Sequence, residues 1–245
     1  MSIRSLRAAV SFLTVLPVAN PDGSPGERLG RGYFPAVGAM VGLAAAAVFV
    51  VFVSLSTPLL AAAAAVATLA LLTGALHLDG LGDSADGLLG GGDVNRRLEV
   101  MRDPRLGSFG TVTVVMVLVL DVAALASTSS PKRALTALVI AGALSRLATL
   151  AVVALVPYVH ERGLGTVAFG GRRRGVDLLV GGAITALVCL LDWRRAAVAA
   201  VAVAIATLGV VALARRRLGG ATGDVCGATA ELGQLATLLV FAVRP

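Results

Sequence analysis

Residues 34–78 read FPAVGAMVGLAAAAVFVVFVSLSTPLLAAAAAVATLALLTGALHL, without a single Asp, Glu, Lys or Arg. A helix of about 20 apolar residues is enough to cross roughly 30 Å of hydrocarbon. This stretch therefore has room for two membrane spans, and it predicts an integral membrane protein.

The composition of the whole chain supports the same class. Of its 245 residues, 57% are hydrophobic and 14% are charged, and the mean hydropathy is +0.90. A soluble domain does not need this much apolar sequence for its core. The net charge of +7 is not read as a sign of nucleic-acid binding, because the arginines fall between apolar segments, where they act as determinants of membrane topology.

Seven long apolar segments predict the architecture. Lipid offers no partners for backbone N–H and C=O groups, so each span should be a helix, and no sheet is expected. The fold class is all-α: a polytopic helical bundle of about seven transmembrane helices, forming one membrane-embedded domain over residues 1–245. The segments are 34–56, 58–77, 109–128, 134–157, 176–191, 196–213 and 225–243.

The N-terminus is expected to remain in the mature protein as an interfacial or re-entrant segment. It carries Arg4 and Arg7 before a short apolar stretch, but no small-residue cleavage site follows and Pro17 interrupts it. The apolar part is too short to span a bilayer.

The distribution of basic residues predicts the orientation. The connections on one side are 19–33, 78–108, 158–175 and 214–224, and they hold thirteen arginines, against five basic residues in the other connections and at the C-terminus. By the positive-inside rule, the arginine-rich side is cytoplasmic. We therefore expect a multi-pass protein of the cell (inner or plasma) membrane with its active-site loops in the cytoplasm.

One of these loops contains an acidic stretch. Residues 77–87 read HLDGLGDSADG. If the stretch is helical, Asp79, Asp83 and Asp86 lie at positions i, i+4 and i+7 and share one face. Carboxylates so placed repel one another unless a cation lies among them, and oxygen-only ligands suit Mg²⁺, with Mn²⁺ as an alternative. A solvated turn without any ligand is the other interpretation.

A second acidic pair follows at residues 222–231, TGDVCGATAE. Asp224 and Glu231 are seven residues apart on one helix face, with Glu231 about 10 Å deeper at 1.5 Å per residue. An ionisable residue at that depth indicates a functional site. The structural alternatives are an N-cap role for Asp224 and a hydrogen-bonded buried carboxyl for Glu231.

The stretch between them, MRDPRLGSFG at 101–110, combines arginines with glycines just before a span. Arginine binds phosphate oxygens in a fork, and glycine N–H groups at a helix start can face an anion. The candidate residues for binding a pyrophosphate substrate are Arg102, Asp103, Arg105, Gly107 and Gly110. The alternative is that these arginines only fix the topology.

Three further polar residues stand in or beside apolar segments. Asp121 and Arg146 are each predicted near mid-membrane in neighbouring antiparallel spans, where they could form an internal ion pair, or Arg146 could contact substrate. His77 directly precedes the acidic stretch and is a candidate to orient a ligand carboxylate or to act as a base.

Together these motifs resemble the cobalamin synthase family of adenosylcobinamide-GDP ribazoletransferases. The resemblance rests on HLDGxxDxxDG, MRDxRxGxxG and TGDxxGAxxE, with FLTxLP at 12–17 and YFPxVG at 33–38, so it runs nearly end to end. It implies that the hydroxyl of α-ribazole, or of its 5′-phosphate, attacks adenosylcobinamide-GDP and that GMP leaves, giving adenosylcobalamin or its 5′-phosphate.

The resemblance also suggests roles for the candidate residues. Mg²⁺ would be bound by Asp79, Asp83, Asp86 and Asp224, and the catalytic group would comprise Asp83, Asp86, Asp224, Glu231 and His77. Substrate would be held by Arg102, Asp103, Arg105, Gly107, Gly110 and Arg146. Other enzymes of the corrinoid pathway are expected as further partners.

Two other functions fit parts of the sequence. CDP-alcohol phosphotransferases carry a similar pattern of Asp and Gly, but this chain has Gly82-Asp83 where those enzymes have Ala-Arg after the first Asp-Gly pair. A cation-coupled transporter would account for Asp121, Arg146 and Glu231, but there is no internal repeat and most of the acidic residues cluster at one surface.

Overall fold

The computed structural model describes residues 2–18, 29–159, 169 and 174–243. Within these ranges the chain is built of helices, and its only β-type pairing is an isolated bridge between Tyr158 and Ala221. Some of the basic residues counted above lie outside the described residues, namely Arg28, Arg162, Arg172, Arg173 and Arg244. The α-helices are α1 Ile3–Leu13, α2 Phe34–Leu55, α3 Pro58–Thr73, α4 Leu76–Leu89, α5 Val94–Val100, α6 Ser108–Ala126, α7 Pro131–Leu155, α8 Arg174–Cys189, α9 Trp193–Leu218 and α10 Gly223–Ala242.

Five helical stretches in the described residues are long and apolar enough to cross a membrane, and a bent pair, α3 with α4, would make a sixth. Arg174–Leu218 counts once among the five. Both of its ends lie beside the end of α7, because Arg174 donates to the Ala154 carbonyl at 3.4 Å and Leu218 packs in the same apolar cluster as Val153. The stretch therefore turns back at the 3₁₀ turn Leu190–Asp192. This agrees with the prediction of two separate segments, 176–191 and 196–213.

The predicted segment 58–77 does not form one straight helix. Gly74 and Ala75 adopt left-handed backbone conformations, with φ of 59° and 56°, and α4 leaves α3 at an angle of 89°. Left-handed residues end a helix because they direct the backbone away from the helical path. Helix α4 therefore runs across the bundle and not along it.

Helix α7 is the centre of the bundle, with 83% of its span buried. It meets α2 where Gly38 faces Gly142, and a Cβ on either glycine would overlap the other's carbonyl. Gly42 approaches the carbonyl of Leu138 in the same way. The Gly38-x-x-x-Gly42 pair thus allows the two backbones to touch, as small residues do in membrane helix pairs.

Helix α1 is amphipathic and too short to span, since 11 residues cover about 16 Å at 1.5 Å per residue. Ala9, Val10 and Leu13 are buried and pack with Phe34 at the start of α2, while Arg4 and Arg7 are exposed. The expectation of a short N-terminal segment that does not cross the membrane is confirmed.

The arginine-rich connections meet at one end of the bundle. Arg31, before α2, forms a 2.9 Å ion pair with Asp177 of α8. The segment after α7 pairs with the segment before α10, because Ala221 N–H donates to Pro157 at 2.8 Å and Val159 N–H donates to Ala221 at 3.0 Å. For the described residues, the prediction that these connections share a side is confirmed.

Candidate active site

Helix α4 presents an acidic face. Asp79 is exposed and Asp83 and Asp86 are half-buried, whereas the opposite face, including Leu81 and Leu88, is buried. The helix is continuous from Leu76 to Leu89, so the predicted spacing of i, i+4 and i+7 does place the three carboxylates together.

Helix α10 brings a fourth carboxylate to this face. Gly80 and Gly227 face each other where α4 crosses α10, and a Cβ on Gly80 would lie 3.0 Å from the Cα of Asp224. Asp83 is close enough to Asp79, Asp86 and Asp224 to be repelled by all three. These four residues, the acidic group, come from distant parts of the chain. In the described residues, no three His, Cys, Asp or Glu side chains already converge closely enough to hold a metal ion.

Asp86 has a structural contact of its own. Its two carboxylate oxygens accept hydrogen bonds from the backbone N–H groups of Gly107, at 2.7 Å, and Gly110, at 2.9 Å. These N–H groups belong to the first turn of α6, which lacks a side-chain cap of its own. The sequence predicted that the N–H groups of Gly107 and Gly110 bind a substrate anion. In the structure they are occupied by Asp86, which caps α6 from another helix.

A cleft of about 370 Å³ lies beside Asp86, between α4, α5 and the start of α6. Its volume is within the range of small-molecule sites. Asp103 and Arg105 pair on its rim through bonds of 2.8 and 3.0 Å, and this contact lowers the pKa of Asp103 to about 2. The lining residues are Asp86, Gly87, Gly90, Gly91, Arg96, Arg97, Val100, Asp103, Arg105, Gly107 and Ser108.

Arg97 in this lining was not identified from the sequence as a site residue. Its side chain is buried and donates to the carbonyls of Gly87, Leu88 and Gly90 at 2.8, 3.1 and 2.6 Å. It therefore satisfies carbonyls that the end of α4 leaves without helical partners. An arginine close to a helix C-terminus is the signal that could have indicated this role.

Four other predicted residues form a separate, buried polar group together with Gln234, which sequence reasoning missed. The four are His77, Asp121, Arg146 and Glu231. Arg146 donates to Ser145 at 3.0 Å and lies 3.4 Å from Nδ1 of His77. Because arginine only donates, Nδ1 of His77 accepts in this contact. Glu231 is buried within electrostatic range of Arg146.

The predicted ion pair between Asp121 and Arg146 is wrong. Asp121 is completely buried, and its Oδ2 accepts a 2.8 Å hydrogen bond from Gln234, while its Oδ1 has no partner. Helix α6 packs against α3, α4 and α10 and hardly touches α7, so Asp121 meets Gln234 of α10 and does not reach Arg146.

The buried polar group lies apart from the acidic face. His77 is on the inner face of α4, opposite Asp79 and Asp83, and Arg146 is 4% exposed. Glu231 and Asp224 share a face of α10 as predicted, yet Glu231 lies beside Arg146 and Asp224 beside Asp83. The catalytic roles of His77 and Glu231 and the substrate contact of Arg146 remain predictions.

Tyr158 is a site residue that sequence reasoning missed. Its ring stacks on that of Phe169, with centroids 4.4 Å apart, and it lies within electrostatic range of both Asp224 and Arg102. The residue follows Pro157 outside any motif, so no local signal pointed to it.

Comparison with known proteins shows similarity over almost the whole chain. A family model described as cobalamin-5-phosphate synthase matches residues 5–242. An adenosylcobinamide-GDP ribazoletransferase of Bradyrhizobium diazoefficiens is 38% identical over 243 residues, covering 98% of this chain and 94% of the relative. Proteins of the same name from Stutzerimonas stutzeri and Frankia casuarinae are 39% and 40% identical, covering 98% and 97% of this chain and 98% and 94% of the relatives. No solved structure matches the chain.

Proposed function

The chain belongs to the cobalamin-5-phosphate synthase family, and on this premise we propose that it is an Mg²⁺-dependent adenosylcobinamide-GDP ribazoletransferase. Its substrates would be adenosylcobinamide-GDP and α-ribazole or α-ribazole 5′-phosphate. Its products would be adenosylcobalamin, or the 5′-phosphate of adenosylcobalamin, and GMP.

One observation carries the assignment of the active site. Four carboxylates from two helices that are distant in sequence lie together at the arginine-rich end of the bundle, beside a cleft large enough for part of a nucleotide. Transfer of a phosphate-linked group needs such a combination, because negative charge on the reacting oxygens must be neutralised by cations.

The donor set suits a hard divalent cation. All four ligand candidates are carboxylates, and their mutual repulsion around Asp83 would be relieved by a bound cation. Asp79, Asp83 and Asp224 would hold Mg²⁺, with Asp86 contributing while it caps α6. When bound, Mg²⁺ would neutralise charge on the phosphate oxygens of the substrate.

The arginine loop would hold the diphosphate. Arg102 and Arg105 are exposed at the rim of the site, where their guanidinium groups can reach phosphate oxygens. The ribose hydroxyl then attacks the cobinamide-side phosphorus, so that a new P–O bond forms and the P–O bond to GMP breaks. Glu231 and His77 are buried on inward-facing surfaces, so neither is placed to accept the hydroxyl proton. A carboxylate of the acidic group accepts it instead.

The site would face the cytoplasm from the cell membrane. This orientation follows from the excess of arginine at the end of the bundle that carries the acidic group. It would also place the cleft where other enzymes of the corrinoid pathway can deliver substrate.

The direct test is an assay on detergent-purified protein. Adenosylcobinamide-GDP, α-ribazole and Mg²⁺ are mixed, and GMP and cobalamin are followed by chromatography, with an EDTA control. We expect equal amounts of both products and loss of both with EDTA. Absence of product from folded, lipid-supplemented protein would contradict the assignment, and release of CMP from a CDP-alcohol would support the lipid enzyme instead.

The metal site is tested by Asp83→Asn. Asp83 lies at the centre of the acidic group, so we expect at least a ~100-fold loss of transfer activity with unchanged membrane insertion. Asp192→Asn is a matched control at the other end of the bundle, where Asn can keep the N-cap of α9. Full activity in Asp83→Asn would remove the metal-site proposal.

A further inference from the structure

The cleft beside Asp86 connects both parts of the proposed site. Asp86 belongs to the acidic group and Arg105 to the arginine loop, and both residues line this cleft. A diphosphate between the acidic group and the arginine loop would therefore lie at the edge of the cleft. A neighbouring part of a substrate could then extend into it, and the candidates are the corrin, the guanine nucleoside and α-ribazole.

The size of the cleft excludes the corrin. Its volume of about 370 Å³ is near the lower end of the range for small-molecule sites, which suits a fused bicyclic base with its ribose. A corrin is a macrocycle with a central cobalt ion and amide side chains around its rim, and it is much larger than a nucleoside. The choice is therefore between the guanine nucleoside and α-ribazole.

The polarity of the lining argues against α-ribazole. Among the described residues that line the cleft, Val100 has the only purely hydrocarbon side chain larger than that of glycine, and the others are glycines, arginines, aspartates and Ser108. The base of α-ribazole is a dimethylbenzimidazole, whose methyl groups gain from burial against apolar side chains. This lining offers such a base little apolar contact.

The arginines of the lining suit guanine instead. Arg97 is fixed in the wall of the cleft by its hydrogen bonds to the end of α4. Arg96 is exposed and pairs with Glu99 at 2.8 Å, and an exposed pair of this kind contributes little, so Arg96 can turn towards a ligand. Guanine presents O6 and N7 side by side as acceptors for a guanidinium group, whereas dimethylbenzimidazole lacks this pair of acceptors.

We propose that the cleft is the subsite for the guanine nucleoside of adenosylcobinamide-GDP, and that α-ribazole binds outside it. This inference rests on the proposed function, because it assumes that GMP is the leaving group. After transfer, GMP would be left in the cleft, so GMP should also bind there when no corrinoid is present.

Gly91 is a suitable position for a reporter in the cleft. It is exposed, and a Cβ there would meet nothing within 4 Å, so Gly91→Cys adds a thiol without a clash. Gly175→Cys is the matched control, because Gly175 is also exposed with nothing within 4 Å of its Cβ, yet it lies in α8, away from the lining of the cleft. Labelling of each new cysteine by a maleimide is quantified by mass spectrometry, so the native Cys189 and Cys226 can stay in place.

Protection by GMP gives a readout that does not depend on turnover by the variants. GMP is expected to compete with adenosylcobinamide-GDP in the wild type, and its inhibition constant sets the concentration. With GMP at about ten times this constant, labelling of Gly91→Cys should slow by about 10-fold, since about nine-tenths of the sites are then occupied. Labelling of Gly175→Cys should not change. Unchanged labelling of Gly91→Cys, or equal protection by α-ribazole alone, would overturn the inference.

The labelled protein gives a second readout, and modification after folding separates a blocked cleft from a misfolded variant. Gly91→Cys carrying a bulky maleimide is compared with the same protein carrying a small methylthio group. We expect kcat/KM for adenosylcobinamide-GDP to be about 10-fold or more lower with the bulky group, and the KM for α-ribazole to be unchanged.

The outcomes separate this inference from the proposed function. Equal kcat/KM for adenosylcobinamide-GDP with the two groups, or a rise in the KM for α-ribazole alone, would overturn the assignment of the cleft while leaving the function intact. A folded wild type that releases no GMP from adenosylcobinamide-GDP would instead contradict the proposed function itself.

Discussion

At the scale of single residues, acidic side chains with similar sequence signals have different roles. Asp83 lies among three other carboxylates, Asp86 caps α6, and Asp121 and Glu231 are buried among helices. The distinction depends on what each carboxylate contacts, and it can be tested by comparing stability with activity.

Asp86 should contribute to stability as well as to activity. Asp86→Ala leaves two N–H groups of α6 without their acceptors, so we expect unfolding to become easier by about 1–2 kcal/mol, with a smaller loss for Asp86→Asn, which keeps one acceptor oxygen. Unfolding in mixed micelles with increasing SDS measures the change. Asp83→Asn is the comparison, and it should not lose stability. If Asp86→Ala were as stable as the wild type, the capping role would be refuted.

Arg146 should be essential to the fold through its buried partners. Arg146→Met leaves the carboxylate of Glu231 without a compensating charge and Nδ1 of His77 without its donor, so we expect a loss of about 3–5 kcal/mol. Arg146→Met/Glu231→Met should recover part of it. The control is Arg194→Met, because Arg194 is exposed and lies over the ring of its neighbour Trp193 at 5.4 Å. Similar unfolding curves for Arg146→Met and Arg194→Met would argue against the buried group.

At the scale of helices, close approach of backbones determines which side chains meet. Gly80 and Gly227 allow α4 to cross α10, and that crossing brings Asp224 to the acidic face of α4. The left-handed residues Gly74 and Ala75 give α4 the direction it needs. Gly74, Gly80 and Gly227 therefore help to place the carboxylates, in addition to allowing the helices to pack closely.

The contact between α2 and α7 can be tested in the same way. Gly142→Ala places a Cβ against the Gly38 carbonyl, and we expect it to destabilise the bundle by about 1–3 kcal/mol, since backbone cannot move aside without separating the helices. Gly209→Ala in α9 is the matched control, because nothing lies within 4 Å of its Cβ. It should be neutral or stabilise by up to about 1 kcal/mol. Thermal unfolding in detergent compares the two, and an equal midpoint would contradict the tight α2–α7 contact.

At the scale of the whole molecule, the two ends of the bundle differ in charge and in the polar groups that they carry. The acidic group, the cleft and most arginines lie at one end, whereas Lys132, Arg133 and Arg195 lie at the other. By the positive-inside rule, this asymmetry predicts the orientation of the protein and, under the proposed function, the compartment that supplies the substrates.

The orientation can be measured by labelling single cysteines. In a background without Cys189 and Cys226, Gly91→Cys lies at the arginine-rich end and Ser129→Cys at the other, and both positions are exposed. We expect a membrane-impermeant maleimide to label Ser129→Cys from outside the cell and Gly91→Cys only in inverted vesicles. The reverse pattern would contradict a cytoplasmic site.

The amino-acid sequence alone is enough to predict the helical class, which connections share one end of the bundle, and the shared face of Asp79, Asp83 and Asp86. These features follow from length, charge and helical spacing, which are local properties. Three other features depend on how the helices pack: Asp224 joins this face, Asp121 meets Gln234 in place of Arg146, and Tyr158 lies within electrostatic range of Asp224. The reason is that the spans are apolar on all sides, so their sequences do not specify how each helix is rotated or which helix lies next to it.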